Sequence, residues 1–125
     1  MKNLWLLALI SILLSACGKD ETGLEGRWNW TESTGGIAGT THTPETEDEE
    51  RQLRIDENTI EWYVEGELSS SNTFTVEERE SIFGGEKPMI ILDQGAFNYS
   101  FEVDEEQLIM NEEVYDGFAH SYKRD

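Results

Sequence analysis

The stretch FNYSFEV, residues 97–103, decides the fold. Phe97, Tyr99, Phe101 and Val103 fall on one side of an extended chain, and Asn98, Ser100 and Glu102 fall on the other. Apolar residues with a period of two describe a strand with one face buried and one face wet. The same alternation spreads outward from this segment. In 60–64 (IEWYV), Ile60, Trp62 and Val64 share a side. In 68–76, Leu68, Ser70, Asn72, Phe74 and Val76 share a side whose middle is polar, as suits a wet cavity or an edge. Further strands are expected over Arg27–Ser33, Arg51–Ile55, Ser81–Phe83, Met89–Leu92, Gln107–Asn111 and Phe118–Arg124. No window of a dozen residues carries a helical period, and Val76–Ser81 is expected to form at most about one helical turn.

The connectors carry turn chemistry. Asp56-Glu57-Asn58, Glu65-Gly66, Gly84-Gly85 and Asp104-Glu105-Glu106 are short polar or glycine-bearing reversals, and Glu65-Gly66 suits a tight hairpin. Short strands joined by tight turns make a meander. A meander of about eight antiparallel strands removes its open edges by closing into an up-and-down β-barrel, with room for side chains and one small ligand. A β-sandwich is the alternative. Thr34–Glu50 (TGGIAGTTHTPETEDEE) is the one long irregular segment. A loop of that length is either a lid or binding element, or a mobile surface segment.

The chain of 125 residues carries 27 acids against 9 bases, a net charge of −18. That charge opposes nucleic acid and anionic lipid as partners, and suits a solvated acidic surface or a cationic protein partner. His42 and His120 are the two histidines, and their spacing does not bring them together with a carboxylate, so no metal or other cofactor is expected. Serines 69–71 lack a nucleophile-elbow context, no glycine-rich phosphate loop is present, and the chain does not read as an enzyme.

The amino end gives an address. Lys2 is followed by an apolar run, Leu4–Leu14, broken only by Ser11. That is the length of a signal-peptide core and short of the about 20 residues that span a bilayer. Leu14-Ser15-Ala16-Cys17 then resembles the lipobox of bacterial lipoproteins. The resemblance implies cleavage after residue 16, acylation of Cys17 and a membrane held through that anchor. Stable anchoring takes more than one acyl chain, each buried methylene giving roughly 0.8 kcal/mol. The alternative is a free thiol after an ordinary secretory signal. Gly18-Lys19-Asp20-Glu21 is similar to the surface-export tag of lipoproteins of the phylum Bacteroidota. It implies the outer face of the outer membrane, the periplasmic face being the alternative. The organisation expected is thus a cleaved signal peptide (1–16), a lipidated cysteine and tether (17–24) and one β-barrel domain (25–125).

Leu24-Glu25-Gly26-Arg27-Trp28 resembles the Gly-x-Trp opening of lipocalin-like proteins. In that family the tryptophan packs across the closed end of the barrel, and an arginine near the last strand lies over it. Gly26, Trp28 and Arg124 are the matching positions. Trp28-Asn29-Trp30, Ser33 to Gly39, Thr43-Pro44, and Tyr115-Asp116-Gly117-Phe118 with His120, Tyr122 and Arg124 look like the small lipocalin-like lipoproteins of Bacteroidota. The resemblance implies a short barrel and no particular activity. Trp62, Phe74, Tyr99 and Phe101, with the polar Ser70, Asn72 and His120 among them, are the candidates to line a pocket for a small apolar or amphipathic ligand. Two other functions stay open: an inhibitor-like acidic module that engages a cationic protein, and a structural envelope lipoprotein without a ligand.

Overall fold

The structure is a computed structural model and describes residues 22–125. The expected signal peptide, Cys17 and the expected tether as far as Glu21 lie outside the described residues. The strands are β1 (Gly26–Gly35), β2 (Thr40–His42), β3 (Arg51–Ile55), β4 (Thr59–Val64), β5 (Glu67–Glu80), β6 (Glu86–Leu92), β7 (Tyr99–Val103), β8 (Gln107–Glu112) and β9 (Phe118–Arg124). One short helix, α1 (Pro44–Glu47), follows β2.

All pairings are antiparallel, and β3 to β9 pair in chain order. β1 then joins both ends of the meander. One of its edges takes β9 from Trp28–Arg124 to Gly35–Phe118, and the other takes β3 from Gly26–Ile55 to Asn29–Gln52. β2 continues that second edge at Ser33–His42 to Gly35–Thr40. The result is a closed, lipocalin-like barrel of eight antiparallel strands with β2 added. Pairing of β1 with β9 removes the two outer edges that the open meander would present. The thinnest seam is β6–β7, registered at Met89–Ser100 and Ile90–Tyr99.

Inward positions of nearly every strand meet in one core of Leu24, Trp28, Trp30, Leu53, Ile55, Ile60, Phe74, Ile90, Phe101, Leu108, Met110 and Tyr122. Trp28 is fully buried, and its indole N–H donates to the Leu24 carbonyl at 2.8 Å. The Arg124 guanidinium lies 4.1 Å from the centre of the Trp28 ring. It donates to the carbonyls of Gly23, Glu25 and Glu105. One planar cation therefore ties the entering chain and the β7–β8 turn to the tryptophan beneath, combining cation–π attraction with a rigid donor fork. Gly26 makes room for it, because a Cβ there would stand 2.7 Å from Arg124 Nη1.

Two bulges break the period of two. Trp30 pairs Tyr122 and Glu32 pairs Ser121, which leaves Thr31 as the extra residue. Its hydroxyl donates outward to the Ser121 carbonyl, and the inward set becomes Trp28, Trp30 and Ser33. In β5, Ser70 pairs Trp62 and Leu68 pairs Tyr63, so Ser69 is extra. Leu68 consequently leaves the face of Asn72 and Phe74 on which the sequence pattern set it, and is 54% exposed. At the β4–β5 hairpin Glu65 and Gly66 both take positive φ, 52° and 80°, the type I′ geometry that matches strand twist.

Other expectations are revised. Val76–Ser81 is strand as far as Glu80, because Glu77 to Glu80 pair with Met89 to Glu86; pairing overrides the helix propensity of the glutamates. Ser81–Phe83 is a turn, not a strand, closed by the Ser81 N–H to the Gly85 carbonyl and the Gly84 N–H to the Ser81 carbonyl. Its tip is held by Glu113, which accepts from the Ser81 hydroxyl and the Ile82 N–H. Desolvation raises the Glu113 carboxyl, but Ser100, the Ile82 N–H and Ser81 together hold it below the usual range. Thr34–Glu50, expected to be irregular throughout, contains the end of β1, the strand β2 and α1. Thr43 caps α1 reciprocally with Thr46. Phe97 and Asn98 precede β7 rather than belonging to it.

The Trp28–Arg124 contact generates a stability prediction. Arg124→Met keeps the apolar stem but removes the cation and the donors to three carbonyls. It is expected to cost about 2 kcal/mol, lowering the melting temperature by roughly 10 °C for a domain of this size, as followed by circular dichroism.

Candidate functional site

The end of the barrel away from Trp28 is not filled. A cavity of about 210 Å³ opens there, with walls from Trp30, Arg51, Trp62, Tyr99, His120 and Tyr122 and a floor that includes Met110. A larger concavity of about 530 Å³ lies over Arg27, Arg54, Asp56 and Glu61. Arg27 pairs Arg54 and Arg54 pairs Glu61 on the outward face, so that concavity is relief on the barrel's outside. The smaller one is enclosed by inward-facing side chains and is the candidate site.

Its polar groups are fixed by one chain of hydrogen bonds. The Trp30 indole N–H donates to Ser33 Oγ at 2.8 Å. Ser33 Oγ stands 2.6 Å from His120 Nδ1, and His120 Nε2 stands 2.7 Å from Glu112 Oε2. The carboxylate can only accept, so the neutral ring carries its proton on Nε2 and Nδ1 accepts from the serine. The other oxygen of Glu112 accepts from the Phe118 N–H at 3.1 Å. Every link runs the same way, from indole to carboxylate, and the His120 ring is held in one tautomer and one orientation. It stacks on Phe118, the ring planes 20° apart.

A serine, a histidine and an acid in contact invite comparison with acyl-transfer enzymes, but the hydroxyl here is placed for another task. Ser33 is 3% exposed, does not line the cavity, and already accepts from Trp30. The arrangement positions Trp30 and His120. Ser33 reaches the interior only because the Thr31 bulge advances the strand by one residue.

Two phenols add to the site. Burial, with the Glu112 carboxylate as a second cause, pushes Tyr99 up to about 12. Burial and the neighbouring Tyr99 raise Tyr122 further. Both hydroxyls keep their protons near neutrality and stand as donors. Arg51 supplies the positive charge. Its position in register with Val64, two residues before Leu53, turns it inward at the open end. The guanidinium lies 4.1 Å from the centre of the Trp30 ring, and its Nε donates to Glu49.

Of the residues singled out in the sequence, Trp62, Tyr99 and His120 meet at this cavity. Phe74 and Phe101 are in the core below it. Ser70 is exposed, and Asn72 accepts from the Gln94 N–H in the β6–β7 loop. Arg51 and Glu112, which also line the cavity, are the residues that the sequence does not point to. Trp30 and Tyr122 were legible as inward positions of the first and last strands, whereas a charged residue on a strand normally reads as outward. Among the described residues no three of His, Cys, Asp and Glu gather as a metal would require. His42 instead pairs with Glu47 of α1 at 2.8 Å.

The raised Tyr99 pKa yields a pH prediction. Folding favours the protonated phenol, so this contribution is whole below the unfolded value of about 10 and is lost as pH climbs toward about 12. Tyr99→Phe is expected to remove one late tyrosinate step from an ultraviolet titration and to flatten the fall in stability over that range. No protein-family model, curated protein or solved structure matches this chain.

Proposed function

We propose that this protein is a lipid-anchored lipocalin-like lipoprotein, displayed on the outer face of an outer membrane, that binds a small amphipathic molecule in the open end of its barrel. The observation that carries the binding reading is the cavity of about 210 Å³ between Trp30 and Trp62. Its walls carry aromatic rings, and the Trp30, His120 and Glu112 polar groups are oriented by hydrogen bonds, as in sites that select a ligand rather than merely admit solvent. Liquid water takes roughly 30 Å³ per molecule, so the space equals about seven waters and suits a ligand of roughly seven to ten heavy atoms. The address rests on the lipobox-like Leu14–Cys17 and the Lys19-Asp20-Glu21 tag.

The binding reading is tested with benzoate, hexanoate, benzyl alcohol and benzylamine as probes. At least one is expected to raise the melting temperature, because a ligand of the native state stabilises it, and to shift the emission of Trp30 and Trp62. Val64→Trp, which fills the cavity mouth, is expected to abolish the response while leaving the far-ultraviolet spectrum intact. If no probe moves either signal, the cavity is not a binding site.

The address is tested separately in cells expressing the full chain. The native protein is expected to partition into the detergent phase of a cloud-point extraction and to be removed by protease added to intact cells. Cys17→Ala is expected to move it to the aqueous phase. Detergent partition unchanged by that substitution overturns the anchor, and protection from protease overturns the surface face.

A further inference from the structure

We infer that the ligand of the cavity is a small carboxylate, its acid group held by Arg51 and its apolar body laid between the aromatic walls. The inference rests on the binding reading above and names the chemical class. Arg51 is the cavity's one permanent cation. Its Nε is committed to Glu49, while no described residue accepts from its two Nη groups. The guanidinium face is occupied by Trp30, so its free edge is what remains to bind. A planar fork of N–H donors matches a carboxylate in bidentate fashion.

The neighbours make the same selection. Tyr99 and Tyr122 line the cavity as neutral hydroxyls, and can donate to an anion where a phenolate would repel it. The one carboxylate in the wall, Glu112, has its oxygens committed to the His120 Nε2–H and the Phe118 N–H. Other arginines are spent elsewhere. Arg124 serves three carbonyls, Arg79 pairs with Glu77, and Arg54 lies over Tyr63 with its Nε on Gln52. The net charge of −18 opposes an anion at long range. At 0.1 M salt, however, exposed charges are screened beyond about 10 Å, and the contact with Arg51 decides. An inorganic anion would satisfy the guanidinium but leave the aromatic walls wet, which is why the ligand needs an apolar body.

The test compares isosteres by titration calorimetry on the full chain. Benzoate is expected to bind at least tenfold more tightly than benzyl alcohol, and benzylamine more weakly than either. Arg51→Gln is expected to remove at least tenfold of the benzoate affinity and to leave benzyl alcohol within about twofold. Arg51→Lys, which keeps the charge and loses the fork, is expected to fall between. Glu49→Gln, which releases the Nε, is expected to hold or raise the benzoate affinity, and the benzyl alcohol affinity kept by the Arg51 variants guards against a general loss of fold. If benzoate and benzyl alcohol bind alike and Arg51→Gln changes neither, the carboxylate assignment is overturned while the binding cavity stands. If none of the three binds the native protein, the binding reading fails and this inference fails with it.

Discussion

The pairing of the first and last strands is the constraint on which the rest depends. β1 and β9 are about ninety residues apart in sequence, and every other hairpin can form without them. Until they meet, the meander is an open sheet with two unpaired edges and a half-covered apolar face. When they do, Trp28 comes under Arg124, the entering chain is tied across the closed end, and the core acquires its last wall. The loop-closure entropy of such a distant contact rises only slowly with length, so the pairing costs little more than that of two closer strands. Its effect on folding rate is larger, because long-range contacts must be in place before they are rewarded.

That pairing also divides the interior into two unlike halves. Below, aromatic and branched aliphatic side chains fill the space. Above, the Thr31 bulge shifts the strand and brings Ser33 inward where unbroken alternation would have turned Glu32 inward. Trp30 stands at the boundary and serves both halves. Its ring closes the core, its indole N–H anchors the Ser33–His120–Glu112 chain, and one face supports Arg51. A buried polar group is costly unless fully partnered. The chain meets that condition with side chains from β1, β8 and β9. Polarity at the open end is therefore built into the closure of the barrel rather than added by a loop.

The alternation of residues was enough to place most of the strands, since burying one face of a sheet leaves a period that local noise rarely erases. It failed where an extra residue resets that period without changing composition. Nothing in Trp30-Thr31-Glu32 or Ser69-Ser70-Ser71 marks a bulge, because the bulge is fixed by the register of the partner strand. It failed again at Glu77–Glu80, where acidic residues that favour a helical turn are held extended by pairing with β6. The site was partly legible for the same reason. Trp62, Tyr99 and His120 sit on inward positions and carry aromatic rings. Arg51 and Glu112 sit on inward positions too, but as charges their alternation reads as a solvated face.

The tether enters at the filled end. Gly23 and Glu25 are clasped by Arg124 beside Trp28, and the cavity lies at the opposite pole. If Cys17 carries the anchor as we propose, about six residues separate it from Gly23, a reach of at most roughly 20 Å. The plugged pole is then the one leashed near the bilayer, and the mouth is turned outward like a cup on a short stem. A molecule arriving from the medium would meet the opening directly, whereas one leaving the lipid would have to travel around the barrel to find it.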